Sequence, residues 1–82
     1  MQLQELRQEL HRQIRACDSG SQTEKQTIDA VSALVDDLAE RHHSRIEAGK
    51  YVIAQLRDMS YPCCKAISDA ILRQVERQEL LG

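Results

Sequence analysis

The sequence contains no Phe and no Trp, one Pro, three Gly and only two aromatic residues, Tyr51 and Tyr61, among 82 residues. With only two rings available, Leu, Ile, Val and Ala must build most of the core. Scarce Pro and Gly enforce few turns, while Gln, Glu, Arg, Leu and Ala, which propagate helices well, are abundant. An all-α fold follows. No apolar run approaches the roughly 20 residues that a bilayer-spanning helix needs, and the opening MQLQELRQEL lacks the apolar segment of a secretory signal. The expectation is a cytoplasmic protein with no membrane partner. Lys and Arg (11) do not outnumber Asp and Glu (13), and the formal net charge is −2; that balance disfavours nucleic acid as the main partner, because gripping phosphates needs a local cationic excess. The three Cys are odd in number and Cys63 and Cys64 are adjacent, unlike the framework of a disulfide-stapled secreted domain. They read as reduced thiols. Residues 1–82 form one domain, and a chain this short buries only roughly 60–65% of its unfolded surface. Its core is thin, so packing against a second copy would help it.

What is present is helical periodicity. Leu3, Leu6, Leu10, Ile14 and Cys17 recur at steps of three and four, one apolar stripe of a helix spanning about 2–17. Asp18-Ser19-Gly20-Ser21 then stops and reverses the chain, and Ser21-Gln22-Thr23-Glu24 fits a capping box that starts a second helix near residue 22. Two readings compete for the end of that helix. In one it breaks near His43, with Ser44-Arg45-Ile46-Glu47 a further capping box, giving four short helices. In the other it runs unbroken over about 22–60, since Ile28, Val31, Val35, Leu38, His42, Arg45, Gly49, Val52, Leu56 and Met59 keep one heptad register and 41–45 contains no Gly, Asn or Pro. The long helix is preferred. Tyr61-Pro62 marks the next boundary, and a last helix over about 62–81 carries Ile67, Ile71 and Val75.

A central helix of that length would span about 55 Å, enough for each outer helix to fold back antiparallel on one half of it. The expected architecture is therefore a helical bundle with a long central helix and two flanking helices, completed by dimerisation. Such a two-layer unit would leave Leu34, Val35 and Leu38 in one half, and Ile46, Ile53 and Leu56 in the other, as a coiled-coil-like seam for a second copy or another protein. Gly49 would allow close helix approach there.

Constellations that could carry chemistry are few. Glu40 and His43 form a Glu-x-x-His pair with Asp36 on the same face, but ferritin-like sites need a second such motif and none occurs; the bland reading, a solvated helix face, is preferred. His42-His43 with Cys63-Cys64 would supply a zinc ligand set, yet adjacent helical residues point about 100° apart and do not converge on one ion. Neither metal nor cofactor is expected. Cys63 and Cys64 fall in the first turn after Pro62, where free N–H groups and the helix dipole favour thiolate, so they are the candidate reactive thiols. Arg7, His11 and Arg15 recur at steps of four and form a cationic stripe flanked by Arg12, the candidate electrostatic contact for an acidic partner or a phosphate backbone; the competing reading is the polar face any amphipathic helix needs, which Glu5 and Glu9 dilute. With no Gly-rich phosphate loop and no nucleophile–base pair, no enzyme is expected. Long helical faces suit binding to other proteins, so the leading expectation is a small regulatory interaction protein, an adaptor, chaperone or inhibitor of the kind common in bacteria and phages. A DNA-binding regulator using the Arg7–Arg15 stripe is the alternative, and a thiol or metal sensor the third reading.

Overall fold

The computed structural model describes residues 2–81 and contains four α-helices: α1 (Leu3–Asp18), α2 (Glu24–His42), α3 (Arg45–Arg57) and α4 (Cys64–Leu81). Among the described residues there is no strand. α1 begins and ends within a residue of where its stripe predicts, burying Leu6, Leu10 and Ile14. α2 starts two residues later than the Ser21 box implies. Thr23 is its N-cap, with the Thr23 hydroxyl accepting from the Gln26 N–H at 3.1 Å and the Gln26 side chain accepting from the Thr23 N–H at 2.9 Å. Gln22 is thereby freed to bridge the α1–α2 corner: its amide donates to Gln13 Oε1 and to Thr27 Oγ1, both at 2.8 Å. Thr27 is wholly buried, and its hydroxyl also donates to the Thr23 carbonyl at 2.9 Å, so no buried polar atom of that side chain is left without a partner.

The continuous central helix over 22–60 does not exist. His43 adopts the left-handed conformation (φ 55°, ψ 22°), Ser44 is extended, and the Ser44 hydroxyl accepts from the Glu47 N–H at 3.2 Å to start α3. The two-residue connection folds α3 back onto α2. A helix of about 55 Å would not fit the molecule, whose longest dimension is 36 Å. The heptad register is real on both sides of the break: Val31, Val35 and Leu38 are buried on α2, and Gly49, Val52 and Leu56 on α3. Between them His42 and Arg45 are exposed. The polar stretch of the register is the outside of a turn and not the seam of a rod.

Folding α3 back changes what covers what. α3 packs most extensively on α4 and on α2, α2 also meets α4, and α1 lies on α2. All four helices contribute to one core, including Leu10, Ile14, Val31, Val52, Leu56, Ile67 and Ile71, each essentially inaccessible. The radius of gyration, 11.9 Å, is about what a folded monomer of this length shows. Two polar ties reinforce the layers. Ser32 and Gln74 exchange hydrogen bonds between α2 and α4 (Gln74 Nε2 to Ser32 Oγ 2.9 Å), and Arg45 pairs with Asp36 across the turn. Both ions of that pair are more than half exposed, so it contributes no more than about 1 kcal/mol. α4 begins at Cys64, two residues after the predicted Pro62 start; Pro62 and Cys63 form a turn closed by the Cys64 N–H on the Tyr61 carbonyl at 3.1 Å.

Two local features make the fold testable. A non-glycine residue in the left-handed region costs roughly 1 kcal/mol, so His43→Gly raises the melting temperature by roughly 2–6 °C. In a continuous helix the same change would remove about 1 kcal/mol and lower it, so the sign read by circular-dichroism melting distinguishes the two folds. Gly49 lies inside α3 against α4, where an added Cβ would overlap Val75 Cγ2. Gly49→Ala therefore destabilises by about 1–3 kcal/mol although Ala is the better helix former, and Gly49→Ala with Val75→Ala loses less than the sum of the two single changes. Strictly additive urea-midpoint losses would place α4 elsewhere.

Candidate interaction surface

The seam expected to hold a second copy is spent inside the chain. Leu34, Val35, Leu38, Ile53 and Leu56 are all buried in the monomer core, and Ile46 is half-buried against it. Their cover comes from α3 and α4 once the chain reverses at His43, which removes the uncovered two-layer face from which the dimer was argued. Gly49 serves close helix approach as anticipated, but toward α4 of the same chain.

The cationic stripe, by contrast, is on the surface. Arg7, His11 and Arg15 are exposed on the flank of α1 about 100° round from Leu6, Leu10 and Ile14. Among the described residues none of the three forms an ion pair with a carboxylate, whereas the neighbouring Arg12 is held by Glu9 through two hydrogen bonds. Hydrogen bonds from Arg12 and Gln13 keep the Glu9 carboxyl below its usual pKa range. They turn Glu9 toward the flank of the helix and leave the stripe cationic. A shallow groove runs along it, lined by Gln4, Arg7, Gln8, His11, Arg15 and Tyr61. Gln4 and Gln8 belong to the same helical face and were visible in the sequence as steps of four. Tyr61 was not, because it arrives from the α3–α4 connection, over 45 positions away in sequence.

The three thiols gather at one end of the molecule. Cys64 is buried, and Cys17 and Cys63 are half-buried. Cys63 precedes α4 and its thiol donates to the Ile14 carbonyl of α1 at 3.5 Å. It therefore faces the carbonyl end of α1, near the Asp18 carboxylate, and not the N–H groups of α4. Burial, the Cys17 thiol and Asp18 push the Cys63 thiol up to about 11, and burial pushes the Cys64 thiol up as well. The thiolate-favouring setting expected after Pro62 is thus reversed. Glu40, His42 and His43 are exposed around the α2–α3 turn, and no three His, Cys, Asp or Glu residues converge as a metal site among the described residues. Among the described residues no helix is long and apolar enough to cross a membrane. Elsewhere, Leu3, Leu38, Ala48 and Tyr51 line a small apolar recess with His42 and Glu47, and the Tyr51 hydroxyl is buried without a hydrogen-bond partner. Comparison with known protein families, with curated proteins and with solved structures gave no match.

The thiol environment sets a pH dependence. Because the folded chain holds the Cys63 proton up to about 11 while an unfolded thiol loses it near 8.5, the folded state binds more protons between those values and stability falls as pH rises through that window. Below it the contribution is fully present. Urea midpoints at pH 8 and pH 11 should differ less for Cys63→Ser than for the wild type; equal losses would show that Cys63 does not titrate with unfolding.

Proposed function

We propose that the chain is a non-enzymatic interaction protein, an adaptor, chaperone or inhibitor of a larger protein, that receives an acidic helix or loop of its partner on the outer face of α1. The observation that supports this reading is the exposed row Arg7–His11–Arg15, which forms no ion pair among the described residues, in a chain of net charge −2. Guanidinium groups take carboxylates as two-pronged donors. Gln4 and Gln8 add amide donors and acceptors beside them, and Tyr61 adds a partly buried ring that can be desolvated at low entropic cost. Tyr and Arg together are the side chains in which binding energy concentrates. Self-association through the expected apolar seam loses its carriers, since those residues lie in the core, and plays no part in this proposal.

A phosphate backbone offers the same groove a different anion, and the experiment separates the two. Tagged wild-type chain, the variant Arg7→Glu with Arg15→Glu, and a control reversal on other exposed helical positions, Lys25→Glu with Arg73→Glu, are used to capture proteins from native cell extract, followed by mass spectrometry and direct titration of the captured protein. The expected result is a protein held by the wild type and the control and weakened 10- to 100-fold by the Arg7/Arg15 reversal, with folding unchanged by circular dichroism. Equal capture by all three chains would overturn the reading. So would steeply salt-dependent retention on DNA with no protein lost on reversal, which would mark the groove as a nucleic-acid contact.

A further inference from the structure

We propose that Cys17 and Cys63 are a paired oxidation site that closes to an intramolecular disulfide, clasping the end of α1 to the start of α4. The pairing is set by the fold. Cys63 Sγ rests on the carbonyl of Ile14, one turn before Cys17 on the same helix, which brings it to the turn of α1 that carries the Cys17 thiol. Both are half-buried, so a small oxidant can reach them, whereas Cys64 is buried. Cys64 is also the weaker rival on geometric grounds: it adjoins Cys63 in sequence, and a bridge between neighbours must close an eight-membered ring through one peptide bond. α1 otherwise packs mainly on α2 and has little direct contact with α4, so the bridge would join two elements that the core couples only indirectly.

The chemistry needs a two-electron oxidant, and a small-molecule disulfide such as oxidised glutathione supplies it. The Cys17 sulfur, after losing its proton to solvent, attacks one sulfur of oxidised glutathione; the glutathione S–S bond breaks, one glutathione thiolate leaves, and Cys17 carries the mixed disulfide. Cys63 then loses its proton and attacks the Cys17 sulfur. The protein S–S bond forms, the mixed disulfide breaks and a second glutathione thiolate leaves. Two thiols of the protein are oxidised, one glutathione disulfide is reduced to two thiols, and the protons return to the departing thiolates. The hydrogen-bonded, neutral resting state of Cys63 makes its deprotonation the slow part of this sequence, so closure accelerates with alkalinity.

The test uses the full chain, reduced, freed of reductant and incubated with oxidised glutathione at pH 8.5, then alkylated and measured as intact mass, as tryptic peptides without reduction, and by thermal melting. The expected product is monomeric, has lost two hydrogens and retains one alkylatable thiol. Its peptides Ala16–Lys25 and Asp58–Lys65 are joined, and remain joined in Cys64→Ser. Its melting temperature rises by roughly 5–15 °C, because the closed loop takes in more than half of the chain and restricts the unfolded state, and the rise disappears on adding dithiothreitol. Cys17→Ser and Cys63→Ser should each stop at one stable glutathione adduct or none, without that rise. A wild type that ends as mixed disulfides, as a Cys63–Cys64 bridge, as disulfide-linked dimers or unoxidised would overturn the proposal. So would a Cys64→Ser chain that no longer closes.

Discussion

Everything in this fold depends on bringing four narrow aliphatic stripes into one interior. A chain of 82 residues without Phe or Trp, whose two Tyr pack only partly buried against the core, has few side chains large enough to fill a gap between loosely spaced helices, so stability has to come from close approach and completeness of burial. The reversal at His43–Ser44 is what achieves that completeness. It turns Val31, Val35 and Leu38 toward the same interior as Val52 and Leu56 and adds α4 over both. Each fully buried aliphatic side chain contributes roughly 1.5–3 kcal/mol, so gathering both halves of the register in one core outweighs the roughly 1 kcal/mol of left-handed backbone at His43. Gly49 follows the same logic: its low helix propensity, a cost of about 1 kcal/mol, is exchanged for contact between α3 and Val75 of α4.

Helix content, the two outer helices and the turn at Asp18–Ser21 were legible in the sequence because they are local. Stripe periodicity, caps and Pro placement act over a few residues. The reversal at His43 was the point at which local reading and tertiary packing diverged. An unbroken heptad register over 28–59 fits a rod and also fits two helices whose stripes meet face to face, since either arrangement keeps the apolar positions on one side. The deciding signals were present but weak: Ser44 with Glu47 three residues on, and a register whose middle positions, His42 and Arg45, are polar. A buried rod would have to desolvate them, whereas a turn leaves them in water, as the structure does. The seam argued for a dimer depended on the rod, since it was an inference about faces that a straight central helix would have left bare.

The surface features divide along the same line. The Arg7–His11–Arg15 row was readable because one helix generates it by steps of four, and burial of the adjoining Leu6–Leu10–Ile14 stripe leaves it outward. Tyr61 at its edge and Cys17 beside Cys63 were not readable, because each is a contact between segments far apart in sequence that converge only after α3 folds back. The thiol environment shows how far such a contact can move a prediction. From Pro62 alone, a cysteine in the next turn belongs at the positive end of a helix; in the folded chain Cys63 sits at the negative end of a different one, donating to Ile14.

The two ends of α1 thus have different characters, with consequences for binding. Along one flank the helix exposes Arg7, His11 and Arg15 without an ion pair among the described residues, and at its C-terminal end it meets Cys63 through a thiol–carbonyl contact and little else from α4. In the docking proposed above, an acidic segment would meet the Arg7–His11–Arg15 row of a helix whose Arg and acidic residues balance overall, and part of the binding free energy would be lost to the side-chain motion given up on docking. Fixing its C-terminal end would reduce that loss without altering a single groove residue. In that proposal recognition and rigidity are separate, the first assigned to the Arg7–Arg15 face and the second to the contacts around Cys17, two turns or less beyond His11 on the same helix.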